Sequence, residues 1–140
     1  MFNCFKKQNV NFLEILFTEY RFIVPEYRDI FELVLKNAER IARYDNYAAV
    51  NCMAGMVYEK FKALEHPYPT TKEKIEKYRY DPKQLHHVIR MHEFIQKFIA
   101  GESFAECLIS KTPEYLINVK CGCHSLEEAR EIAKEKAPVS

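Results

Sequence analysis

At 140 residues, 48% of them apolar and 29% charged, the chain has the length and composition to bury a real core, which excludes it from the disordered class. Its 21 Lys and Arg against 20 Asp and Glu leave a net charge of +1, which excludes a general attraction to nucleic acid or an anionic membrane and makes any such site local. Five cysteines and no apolar leader suit a reducing compartment, and no run approaches the roughly 20 apolar residues that cross a bilayer, so the reading is a cytoplasmic protein with no membrane partner.

Helical signals dominate and glycine is scarce, predicting an all-α, compact multi-helix bundle in a single domain, 1–140. Asn11 is read as the cap of a short helix over 12–18, followed by an extended connection through Tyr20, Phe22 and Val24; a short strand pair is the alternative there. Pro25 and Glu26 open a helix to about Tyr44, whose buried side is expected to carry Tyr27, Ile30, Phe31, Val34, Ala38 and Ile41. Asp45 or Asn46 caps the next helix, from Tyr47 to about Leu64. That helix is apolar around most of its circumference and is placed at the centre of the bundle. Within it Ala48, Cys52 and Gly55 form a stripe of small side chains that would admit a close neighbour.

His66-Pro67-Tyr68-Pro69 reads as a stiff connection, because each proline and the residue before it favour extended backbone. One or two helical turns are expected before Tyr78. The next helix has both ends marked: Asp81 is the N-cap, Pro82 the first helical residue and Gly101 the stop. Its apolar side carries Leu85, Val88, Ile89, Met91, Ile95, Phe98 and Ile99, with His92 inside that arc as a core histidine. From Lys72 to Lys97 seven basic residues face four acidic ones. Lys83, His86, His87 and Arg90 occupy the first two turns, where they can meet a phosphate or carboxylate together, aided by the positive end of the helix dipole. These four are the candidate ligand-binding residues.

Beyond Gly101 a short helix over 104–109 is expected, then one started by Thr112-Pro113 and ended at Gly122. The last opens on a capping box, Ser125 with Glu128, forming a C-terminal helical hairpin with the one before it. Cys121-Gly122-Cys123-His124 offers three zinc-type ligands but no fourth nearby, so a turn with two reduced thiols is the expected case and no metal is assigned. No nucleophile elbow, phosphate loop or dinucleotide fingerprint can be written, and no motif asks for a cofactor. Arg79 followed by His86 resembles the Arg-x6-His signature of HEPN-type helical ribonucleases. That resemblance implies metal-independent RNA cleavage by Arg79 and His86, the alternative catalytic reading.

Three segments in register carry a second resemblance. Asn9-Val10-Asn11-Phe12-Leu13-Glu14-Ile15-Leu16-Phe17, then Tyr80-Asp81-Pro82-Lys83 through His87 to Arg90, then Leu116 to Gly122 with Ser125-Leu126-Glu127-Glu128, resemble the C-terminal helical half of a predicted nucleotidyltransferase family of the polymerase-β type. Val10 departs from a proline common in that family, and the Cys121-Gly122-Cys123 turn is foreign to it. The Gly-Ser turn and Asp-x-Asp pair that hold metals and triphosphate in such enzymes are missing, so nucleotidyl transfer by this chain alone is not expected. What the resemblance implies instead is a non-catalytic binding domain, with Lys83, His87 and Arg90 matching the family's Lys, His and Arg. A nucleotide, RNA or protein partner would fit, including the partner chain of a split nucleotidyltransferase. By analogy, a phage or mobile element would use such a domain as an inhibitor of a host system. A purely protein-binding role would draw on Tyr20, Phe22 and Tyr27 or the Pro67-Tyr68-Pro69 loop.

Overall fold

The computed structural model describes residues 2–20 and 22–137, and every regular element among them is helical. Arg21, within the expected extended connection, lies outside the described residues. In chain order the elements are α1 (Phe2–Lys6), α2 (Val10–Leu13) running into a 3-10 turn (Glu14–Phe17), a second 3-10 turn (Pro25–Tyr27) leading into α3 (Arg28–Lys36), α4 (Ala38–Ala42), α5 (Asn46–Ala63), α6 (Lys72–Tyr78), α7 (Pro82–Ile99), α8 (Phe104–Cys107), α9 (Pro113–Lys120) and α10 (Leu126–Lys136). The expected all-α bundle is what the structure has. None of its described helices is long and apolar enough to cross a membrane.

Local chemistry sets most boundaries. The Asp45 and Asp81 carboxylates accept the N–H groups of Ala48 and Lys83, each at 3.0 Å, and so start α5 and α7. The Ser125–Glu128 capping box is complete and starts α10. Gly101, at φ 87°, ends α7, and the N–H of Glu102 returns to the Lys97 carbonyl at 3.1 Å. Two expected boundaries are corrected. The first cap is Asn9, not Asn11: its side-chain oxygen accepts from the N–H groups of Asn11 and Phe12, because Gln8 at φ 51° turns the chain one step earlier. The long helix expected from Pro25 to Tyr44 begins as a 3-10 turn and is broken at Asn37, whose side-chain amide donates to the Leu33 carbonyl at 2.8 Å.

The central pair is α5 and α7. Two core clusters lie along it, and α7 feeds both. Phe94 and Phe98 join Leu13, Leu16, Ala42, Met53 and Phe104 in one; Leu85 and Ile89 join Tyr80, Leu116, Val119 and Ala133 in the other. Just past α4, the Arg43 guanidinium stacks 4.1 Å from the Phe98 ring centroid and donates to the Phe98 and Glu102 carbonyls. One side chain thus covers both the ring and the open carbonyls at the end of α7. Beyond it, α9 and α10 turn back at Gly122 and both dock on α7.

The small-residue stripe of α5 is also corrected. Its buried seam is Ala49, Met53 and Val57, one step round the helix, and Gly55 faces open space with nothing within 4 Å of an added Cβ. Gly55→Ala is therefore expected to stabilise the fold by about 0.5–1 kcal/mol, since it restricts the unfolded chain at no steric cost. Urea unfolding checks this; a destabilised variant would mean that Gly55 makes a close contact after all.

Candidate functional site

The cationic face of α7 is built from its N-terminus inward. Asp81 is only 1% exposed, and besides capping Lys83 its own N–H donates to the Leu64 carbonyl at 2.8 Å. The helix terminus is therefore already filled by its own carboxylate, so the dipole end offers no open seat for an anion. The open positive region begins one turn later.

There Lys83 is exposed, while His86 and His87 are half-buried with ring centroids 5.3 Å apart. Arg90, a further turn on, reaches Glu14 of the first 3-10 turn at 3.6 Å. The side chains of both ions are nearly half exposed, so this pair contributes only ~0–1 kcal/mol and leaves Arg90 available. Between α7, α5 and the α2 segment lies a cleft of about 220 Å³. His87, Arg90, Lys60, Asn11 and Glu14 provide its polar wall, and Met56, Met91 and Phe94 its apolar floor.

The structure divides the four candidate residues. His87 and Arg90 line the cleft, whereas Lys83 and His86 stand beside it, Lys83 bearing on His87 through its charge. Burial, then the neighbouring His86, Lys60, Lys83 and Arg90, push the His87 imidazole down to about 4. His86 is lowered by burial and by Arg90, Lys120 and Lys83, and its Nδ1 is buried with no hydrogen-bond partner among the described residues. At neutral pH both rings are thus uncharged hydrogen-bonding groups set among permanent cations. Reading α7 alone missed Lys60 of α5 and Lys120 of α9. A lysine in the last turn of a helix looks like an ordinary complement to the dipole, so Lys60 carried no separate signal. Asn11, Glu14 and Lys120 did lie within the three segments that carry the nucleotidyltransferase resemblance.

Arg79 closes α6 in the left-handed conformation, φ 69°, with its side chain exposed. Among the described residues no hydrogen bond or ion pair joins it to His86, and the cations that bear on His86 are the three just named. His92 sits half-buried near the end of α10, its pKa lowered by burial and by Lys136. In the Cys121–His124 turn both thiols are exposed. The His124 ring is held between the Tyr115 hydroxyl at 2.8 Å and the Glu128 carboxylate at 3.4 Å, and its carbonyl accepts from the buried Tyr80 hydroxyl at 2.9 Å. No group of three or more His, Cys, Asp or Glu side chains among the described residues is placed to share a metal ion.

No protein-family model, curated protein or solved structure matches the chain. What the cleft can do thus rests on its own residues: two fixed cations, Lys60 and Arg90, a neutral imidazole and an amide around a small recess, with Lys83 bearing on it from outside and Glu14 as its one lining carboxylate among the described residues. Such a set suits a bound anion.

Proposed function

We propose that this chain is a non-catalytic, nucleotidyltransferase-like helical domain that works by binding a phosphate group of a nucleotide or nucleic acid in the cleft between α5 and α7. The observation that carries the reading is the convergence of two of the resemblance-bearing segments on one cleft, with the third packed nearby. Asn11 and Glu14 come from the first and His87 and Arg90 from the second, all lining the cleft, while Lys120 of the third bears only on His86 beside it. Lys60 adds a cation from outside them. The volume supports a charged group rather than a whole ligand, since about 220 Å³ is below the roughly 300–1,000 Å³ of enclosed small-molecule sites. A phosphate would enter and the rest of the ligand would lie along the surface. Each charge-assisted hydrogen bond supplies ~1.5–3 kcal/mol, enough for binding without chemistry.

The test is calorimetric titration of the purified chain with ADP and with a short single-stranded RNA. Lys60→Ala with Arg90→Ala is expected to weaken binding by at least about tenfold and to flatten its salt dependence, while the thermal midpoint stays nearly unchanged because both side chains are on or near the surface. An anion beside His87 favours the protonated ring, so binding raises its depressed pKa and takes up a proton. Affinity for sulfate, whose charge is constant over this range, should therefore rise as pH falls from neutral towards about 4; because the adjacent His86 also gains charge on acidification, His87→Gln should reduce the rise and His86→Gln with His87→Gln should abolish it. Unchanged affinity in the double variant, or a loss of stability that parallels the loss of binding, would sink the proposal.

A further inference from the structure

Away from this cleft, α3 presents an apolar stripe that the fold leaves uncovered. No residue of α3 is buried; Ile30 and Leu33 are 66% and 62% exposed, and Tyr27, one turn before them, is 58% exposed. Phe31, Val34 and Leu35 face inward and hold the helix in place, with Phe31 edge-on to Tyr20 at 4.9 Å. Beyond one end of the stripe the chain projects Phe22, 78% exposed, and Val24. Beyond the other lies an apolar groove of about 630 Å³ bordered by Val34, Ile41 and Tyr44.

We infer that this face pairs with a second copy of the chain, α3 against α3, antiparallel about a two-fold axis near Glu32 and Leu33. Charge complementarity selects that occupant. Asp29 and Lys36 are seven residues apart, which at ~3.6 residues per turn puts them on the same edge of the stripe, one at each end. Two-fold symmetry sets Asp29 of each copy against Lys36 of the other, twice over, as an isologous interface requires. The polar side of α3 balances Arg28 and Lys36 against Asp29 and Glu32, unlike the Lys- and Arg-rich face of a helix that lies on anionic lipid.

The experiment is sedimentation equilibrium on the full chain and on charge-swapped variants, with circular dichroism confirming that each is folded. The wild type is expected at twice the 16.6 kDa of one chain. Asp29→Lys alone and Lys36→Glu alone should each weaken self-association by about tenfold or more, because each sets like charges opposite one another twice. Mixing the two single variants should yield a heterodimer, and the chain carrying both changes should dimerise again. Both substitutions oppose the α3 dipole, so recovery in the double variant reports pairing rather than helix strength. A monomeric wild type, a dimer indifferent to the single swaps, or a double variant as weak as the singles would overturn the inference.

Discussion

Phe104→Ala should cost about 3–5 kcal/mol of stability and lower the thermal midpoint by about 10–20 °C, the largest effect expected of any single change considered for this chain. The ring is completely buried, stacked on Phe17 at 4.9 Å between centroids and edge-on to Phe94 at 5.2 Å. Those partners come from two other parts of the chain, the first 3-10 turn and α7, so the ring ties three elements together. The Phe104 backbone is itself held, its N–H donating to the Glu39 carboxylate at 2.6 Å. With both ends of the contact fixed, the surroundings cannot collapse into the space left behind, and the cavity term adds to the lost transfer free energy. A functional consequence follows, because the same 3-10 turn carries Glu14 to Arg90. The Glu14–Arg90 ion pair should therefore loosen in the variant even where it remains folded. Urea unfolding followed by circular dichroism measures the cost; a loss under about 1 kcal/mol would mean that the ring packs far more loosely than these distances require.

The second large effect is expected at Gly122. It sits at φ 83°, where an added Cβ costs about 1–2 kcal/mol on backbone grounds alone. That Cβ would also lie 2.6 Å from Cε1 of Tyr78, so the ring would have to be pushed aside, at a further ~1–3 kcal/mol. Gly122→Ala should therefore destabilise by about 2–5 kcal/mol. Gly101 supplies the comparison within the same molecule: its φ is 87°, but nothing lies within 4 Å of an added Cβ, so Gly101→Ala should show the backbone cost only. Equal losses at the two glycines would remove Tyr78 from the account. The contact matters to architecture because it seats the α9–α10 turn on the end of α6, while the Tyr80 hydroxyl ties the His124 carbonyl to the second core.

Several elements are legible in the amino-acid sequence alone. Asp81-Pro82, Gly101, Asp45 and the Ser125–Glu128 box each act within one or two turns of where they stand, so their meaning survives any tertiary arrangement. His87 and Arg90 were legible for a similar reason, since helical spacing alone put them on one face. Short-range ambiguity accounts for the missed details. Asn9 and Asn11 are equally good caps, and only the turn at Gln8 decides between them. Asn37 can continue a helix or bend it, and its bond to the Leu33 carbonyl chose the bend.

By itself, then, the amino-acid order determined the helical class, most helix boundaries and the cationic edge of α7, because caps and periodicity are properties of neighbours along the chain. Tertiary structure alone decided which apolar faces found a cover. Tyr27 and Ile30 were expected inside and stand outside, and Gly55 was expected against a neighbour and faces open space. It also brought Lys60, Glu14 and Lys120 to the histidines, from helices far away in sequence. An apolar stripe specifies that something must cover it, but the identity of the cover depends on the geometry of every other helix, and for α3 it lies beyond the single chain.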